Sequence, residues 1–151
     1  MMAPPLKVLV PVDFSRFSRE TIDYALNLTG VCSAQFSLLH VLNTQRYEPL
    51  VELDEHRDEV LADQYRDVEE RLAAEVAQRK QERPQLQLDY LVAQGIPFKE
   101  ICAVADRENF QLIIIGTHGC TGLSHLLIGS TAERVVQHAS CPVLSMKPRV
   151  L

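Results

Sequence analysis

No stretch of this chain comes close to the ~20 consecutive apolar residues that cross a membrane, and no long basic run appears anywhere. The first absence argues against a spanning helix. The second, together with 15 Lys and Arg against 20 Asp and Glu and a net charge of -5, argues against a nucleic-acid partner, which selects for a basic face. The N-terminal MMAPPLKVLV has no basic n-region followed by an h-region and cleavage site, so its apolar run reads as a first strand rather than a leader. These features point to the cytoplasm. None of the four cysteines, Cys32, Cys102, Cys120 and Cys141, forms a CxxC pair, and no His/Cys cluster has zinc spacing. Reduced and mostly buried thiols are therefore expected. Two phosphate-binding signatures are missing as well. There is no GxGxxG, and no GxxxxGK[ST] with its Lys-Ser/Thr pair.

What is present suits one globular domain over 1–151. With 151 residues and 46% hydrophobic content, the chain can bury a core. Leu6 to Val12 is a short apolar run, the pattern of a strand covered on both faces. Asp13-Phe14-Ser15 then supplies capping residues. A helix with Ile22, Ala25, Leu26 and Thr29 on one side follows, and Gly30 is its expected C′ stop. Gln35 to Leu42 reads as the second strand. Asp54 to Arg83 reads as a long helix with a stripe of Leu61, Tyr65, Val68, Leu72 and Val76, halted by Pro84. Its charges fit a solvated face with i,i+4 pairs.

Leu86, Leu88, Tyr90 and Val92 alternate, which predicts a half-exposed strand at a sheet edge. Gly95 and Pro97 open a helix that buries Phe98, Ile101, Cys102 and Ala105. Gln111 to Ile115 is a buried fourth strand. Thr131 to His138 is a helix with Ala132, Val135 and Val136 inward, and Pro142 to Met146 is a fifth strand. Strict β-α alternation implies a parallel sheet with helices on both faces. Ligands bind such sheets beyond the carboxyl ends of the strands where the winding reverses. That point lies between the first and fourth strands if they are neighbours.

The chemistry concentrates after the fourth strand, in GTHGCTGLSHLLIGST from Gly116 to Thr131. Its glycines, Gly116, Gly119, Gly122 and Gly129, let backbone amides turn toward one anion or serve turns alone. Gly129-Ser130-Thr131 falls at a helix N-terminus, where free N–H groups and the macrodipole favour phosphate. Asp13 is a candidate ligand contact or a plain helix N-cap, and Ser15 is able to take the capping role instead. Arg134 is a surface residue or a phosphate contact. His40, within an apolar strand, reads as a satisfied core histidine rather than a ligand.

The spacing G-x2-G-x9-G-[ST] at Gly116, Gly119, Gly129 and Ser130, the opening KVLVPVDFS, the LLHV of the second strand and the final CPVL together resemble the universal stress protein family, in its ATP-binding branch. The similarity covers nearly the whole chain and is least diagnostic from Asn43 to Arg83. The resemblance implies a Rossmann-like α/β fold, of the adenine nucleotide alpha hydrolase type, with an open five-stranded parallel sheet in the order 3-2-1-4-5. It implies a homodimer through the Pro142–Met146 strand, and ATP as ligand, with Mg²⁺ bridging phosphate oxygens. Carried onto this chain, Pro11, Val12 and Asp13 would meet the adenosine, with Asp13 on the ribose. Val41 would offer its backbone to the adenine edge. Gly116, Thr117, His118, Gly119 and Gly122 would line ribose and phosphates, and Gly129, Ser130 and Thr131 would hold the phosphate tail.

One departure stands out. Position 120 is often basic in relatives and is Cys120 here, and losing a cation beside phosphate costs about 1–2 kcal/mol, roughly tenfold in affinity. Cys120 is alternatively a redox-sensitive thiol. The loop has no Lys, no acidic residue stands as a base, and the region after the first strand reads PVDFS rather than HIGH or SGGxDS. A regulatory ATP-binding module with an unidentified protein partner is thus preferred to an ATP-hydrolysing or phosphotransfer enzyme. A nucleotide-independent dimeric scaffold, using the long charged helix as its partner surface, is the third reading.

Overall fold

A computed structural model describes residues 3–46, 56–118 and 129–147. The chain alternates strands and helices: β1 (Leu6–Pro11), α1 (Arg16–Asn27), β2 (Ala34–Asn43), α2 (Arg57–Glu82), β3 (Leu88–Gly95), α3 (Pro97–Arg107), β4 (Leu112–Gly116), α4 (Ser130–His138) and β5 (Val143–Met146). The five strands form one parallel sheet in the order β3-β2-β1-β4-β5. β1 and β4 are neighbours, with Val8 opposite Leu112 and Leu9 opposite Ile113. The winding reverses between them, as expected.

The two-residue period of the strands decides which helices cover which face. Val8 and Val10 of β1, Phe36 and Leu38 of β2 and Ile114 of β4 pack with Ile22, Ala25 and Leu26 of α1 and with Val68, Leu72 and Val76 of α2. The opposite face carries Leu9, Leu39, Ile113 and Ile115, covered by Ile101, Val104 and Ala105 of α3 and Ala132 and Val135 of α4. Val8, Leu9, Val10 and Leu38 are wholly buried, and burying a side chain of this kind stabilises by about 1.5–3 kcal/mol. Both faces of the central strands are covered, which is why β4 reads as an apolar run and β1 as one interrupted only by Lys7 and Pro11. Arg79 ties α2 to α1 through Asp23 and also pairs with Glu75, while Arg83 donates to the Leu26 carbonyl at 3.1 Å.

Several expectations need correction. Gly30 is not a left-handed C′ stop. α1 ends at Asn27 and tightens into a 3₁₀ turn over Leu28–Gly30, and Gly95 is the glycine with positive φ among the described residues. Val136 points outward and is 53% exposed, because a nine-residue helix turns a narrow stripe inward and Ala132 and Val135 fill it. Val104, not Cys102, completes the buried stripe of α3. The thiols are not mostly buried, since Cys32 is exposed and Cys102 and Cys141 are half-buried. The start of the long helix at Asp54 falls outside the described residues.

Candidate functional site

The carboxyl ends of β1, β2 and β4 open onto a cleft of about 530 Å³, a size typical of small-molecule sites. β1 and its exit contribute Pro11, Val12 and Asp13. β4 and its exit contribute Ile115, Gly116, Thr117 and His118. Gly129, Ser130, Thr131 and Ala132 come from the start of α4. Val41 lines the cleft from β2, beside Leu39, His40, Leu42 and Asn43, and Pro97 and Ile101 enter from α3. Every proposed site residue among the described ones therefore meets in one cavity. Gly119 and Gly122 lie outside the described residues, as does Cys120.

The turn after β1 is fixed by local bonds. The Ser15 side chain caps α1, accepting from the Ser18 amide at 3.1 Å. Asp13 Oδ1 accepts from the Ser15 amide at 3.0 Å and from the Ser18 hydroxyl at 2.7 Å, and the Asp13 amide donates to Ser18 Oγ at 2.9 Å. Ser15 takes the N-cap, yet this does not free Asp13, whose carboxylate organises the turn. Phe14, between them, adopts φ 64°, a left-handed conformation costing a bulky residue about 1 kcal/mol. Its ring meets the His40 ring at a centroid distance of 4.8 Å, and the Arg71 guanidinium lies 4.0 Å from the Phe14 ring centroid.

Backbone direction places Val41. The Val12 amide donates to the Leu39 carbonyl at 2.8 Å, whereas the Phe36 amide donates to Gln87 beside β3. Odd positions of β2 thus aim their peptide groups toward β1, and β1 ends at Pro11. The N–H and C=O of Val41 consequently point past the end of β1 into the cleft. Val41 is not the strand's last residue, since β2 runs on to Asn43.

The phosphate-type corner is built differently from the simplest reading. The Gly129 amide is already used, donating to the Thr117 carbonyl at 2.6 Å, and the Thr117 amide donates to Met146 at 2.9 Å. Thr117 is thus a buried clamp joining β4, β5 and α4. The amides of the first turn of α4 have no acceptors within the helix, and Gly129 at the N-cap provides no side-chain cap. A Cβ on Gly129 would stand 3.1 Å from the Thr117 oxygen, and one on Gly116 would stand 2.8 Å from Thr21 Oγ1. Gly116 is therefore small to admit α1, not only to line a ligand.

Charge in the cleft is spare. Among the described lining residues there is no Lys or Arg, and Asp13 is the one carboxylate. Among the described residues no three His, Cys, Asp or Glu side chains converge to hold a metal. His40 Nδ1 lies 2.8 Å from the Val12 carbonyl, so Nδ1 carries the proton. Burial holds its imidazole below the usual value, against the Val12 bond and Asp13, which raise it. It is a satisfied histidine, as read from the sequence, but it also lines the cleft. Arg134 lies 5.1 Å from the Phe98 ring centroid and does not line the cleft, which leaves the surface reading.

A family model, the universal stress protein family, matches residues 6–147. The chain belongs to the universal stress protein family. Universal stress protein MJ0531 of Methanocaldococcus jannaschii is 30% identical over 141 residues, covering 93% of this chain and 81% of that protein. Universal stress protein YxiE of Bacillus subtilis is 30% identical over 151 residues, covering 93% of this chain and 98% of that protein. The solved structure of MJ0577 superposes with a TM-score of 0.80 at 26% identity over 96% of this chain and 97% of that one. The fold is shared too by a universal stress protein solved in complex with cAMP, with a TM-score of 0.67 at 17% identity over 97% and 100% of the two chains. An Archaeoglobus fulgidus universal stress protein solved with dAMP has a TM-score of 0.64 at 19% identity over 94% and 98%.

Sequence reasoning missed Ser18, Asn43, Pro97 and Ala132 among the lining residues. Ser18 had a local signal, because it stands three residues after the N-cap Ser15 and five after Asp13. The others had none, since only the sheet brings their elements together.

Proposed function

We propose that this universal stress protein is an adenine-nucleotide-binding regulatory module, with ATP as its ligand. One observation carries the reading. The cleft at the β1/β4 reversal joins a backbone edge for a base, at Val41, to a glycine-capped helix start for an anion, at Gly129. The bound nucleotides of two proteins of this fold, cAMP and dAMP, support the adenine half of it. In this reading Pro11, Val12 and Asp13 flank the adenosine, with Asp13 on the ribose side. Gly116, Thr117 and His118 wall the middle of the ligand, and the family pattern extends that role to Gly119 and Gly122. Ser130 and Thr131 offer amides and hydroxyls to the phosphates. Mg²⁺ would neutralise phosphate charge there, and Asp13, the one carboxylate among the described lining residues, would be the side chain able to assist it. Asp13 is engaged through Oδ1 with Ser15 and Ser18, which favours binding over hydrolysis in this reading.

ATP binding would stabilise the folded state by mass action and bias partner binding. β5 is a sheet edge, and Val136 is exposed on α4, the helix preceding it. Both support a homodimer in which two β5 strands, Pro142–Met146, pair across a twofold axis. Isothermal titration with ATP, AMP and adenosine, with and without Mg²⁺, tests the site. Saturable heat with ATP is expected, and no heat at nucleotide on the order of millimolar overturns it. Sedimentation of wild type against Val136→Glu tests the dimer, and equal masses overturn that part.

A second reading, a nucleotide-independent dimeric scaffold, is favoured by one observation, the lack of Lys or Arg among the described lining residues. Partner capture unchanged after ATP depletion would select it.

A further inference from the structure

α3 presents Phe98, Cys102 and Asp106 at successive i,i+4 positions, one row along a helix face. Both ends of that row are tied to α4 and the chain that leaves it. Phe98 meets the His138 ring at 5.4 Å and carries Arg134 over its face. Asp106 accepts a hydrogen bond from the Ser140 hydroxyl. Cys102, in the middle, consequently faces the segment between His138 and Cys141. Cys141 in turn packs on the cluster formed by Ile101, Val104 and Ala105, the neighbours of Cys102 on α3. Both thiols are free and half-buried.

We propose that Cys102 and Cys141 form a dithiol site that closes to an intramolecular disulfide under a peroxide, stapling α3 to the entry of β5. One sulfur, as thiolate, attacks a peroxide oxygen. An S–O bond forms, the O–O bond breaks, and the leaving oxygen takes a proton to become water. The second sulfur then attacks that sulfenic sulfur. The S–S bond forms and the S–O bond breaks, and the hydroxide departs with the second thiol's proton as water. Two thiols lose two electrons and the peroxide gains them, giving two waters.

The surroundings set the tempo. Burial, and with it the Asp106 carboxylate, pushes both thiols above their ordinary value, and Cys102 also feels Cys141. Thiols held protonated attack slowly, and the same groups leave slowly, so the bond forms slowly and persists once made. Pro97 at the start of α3 and Ser130 at the start of α4 line the cleft, while Cys102 lies midway along α3 and Cys141 three residues past the end of α4, and neither lines it. The staple therefore restrains both helices that wall the cleft without entering it. This inference does not depend on nucleotide binding.

The test uses the full chain with its natural cysteines, reduced and then exposed to hydrogen peroxide with reductant removed. Peptide mapping after alkylation is expected to give a Cys102–Cys141 crosslinked peptide lacking two hydrogens, in a species of monomer size on a non-reducing gel. The melting temperature is expected to rise by several degrees and to fall back with dithiothreitol. Formation should quicken as pH rises. Cys102→Ser and Cys102→Ala should each abolish the crosslink. Should those variants fold poorly, the map of the natural chain decides alone. Alkylation of both Cys102 and Cys141 after oxidation, or their oxidation as separate sulfinic acids, overturns the proposal.

Discussion

The Gly129 amide and the Thr117 carbonyl are joined by a 2.6 Å hydrogen bond that closes the loop between β4 and α4 at its base. One of the amides assigned to anion binding is thereby withdrawn, and the remaining first-turn amides are held in fixed orientation. The corner is uncapped because glycine has no side chain to turn back on the helix. Gly129→Asp would supply a capping carboxylate. Its expected effect on stability is small, within about 1 kcal/mol, since the cap gained offsets the 3.1 Å Cβ contact with Thr117. Nucleotide affinity should fall at least about tenfold, because the carboxylate occupies and repels at the anion position. Chemical denaturation and isothermal titration on the same sample measure the two separately, and unchanged affinity refutes this role for the corner.

Ser18 and Asp13 exchange hydrogen bonds in both directions, and Ser18 is 8% exposed. Ser18→Ala leaves the Asp13 amide without its acceptor and removes a charge-assisted bond. A loss of about 1–3 kcal/mol is expected in urea denaturation. A loss below about 0.5 kcal/mol would show that water replaces the hydroxyl without cost.

Gly116 and Thr21 meet across the β4–α1 contact. Thr21 is wholly buried and its hydroxyl donates to the Phe17 carbonyl at 2.9 Å, so it has little freedom to yield. Gly116→Ala should destabilise by about 1–3 kcal/mol through overpacking. Thr21→Ala in the same chain should recover much of that loss. An additive double-mutant cycle would disprove the contact as the cause.

His40 is held neutral chiefly by burial, with Arg71 lowering its proton affinity further and the Val12 bond and Asp13 opposing. Its folded value is below its unfolded one, so the unfolded chain binds the proton more readily. The contribution to stability is whole above the ordinary histidine value of about 6.5 and is lost as pH falls below it, levelling off beneath the folded value. Acidification from neutral pH toward pH 5 should therefore cost wild type more stability than His40→Gln. Nuclear magnetic resonance titration should place the His40 midpoint below that of an ordinary histidine, and a midpoint at or above it contradicts the assignment.

Much of the architecture was legible in local pattern. Unbroken apolar runs at Val8–Val10 and Ile113–Ile115 marked strands with two covered faces. The alternation from Leu86 to Val92 marked an edge, and Pro97 marked the first turn of α3. Periodicity failed at Val136, where a short helix buries less than its apolar residues suggest. It failed again at Gly30, where a 3₁₀ turn needs no left-handed residue.

The sequence by itself determined the order of elements and the identity of the loop residues, because these follow from side-chain period and backbone preference over a few neighbours, whereas the reversal point was legible only through the family resemblance. Tertiary structure alone decided what each polar group is bonded to. Asp13 is committed to Ser15 and Ser18, Gly129 to Thr117, and Gly116 is kept bare for Thr21. Hydrogen bonds and close contacts depend on distances of a few tenths of an ångström between segments remote in the chain, and no local pattern encodes those.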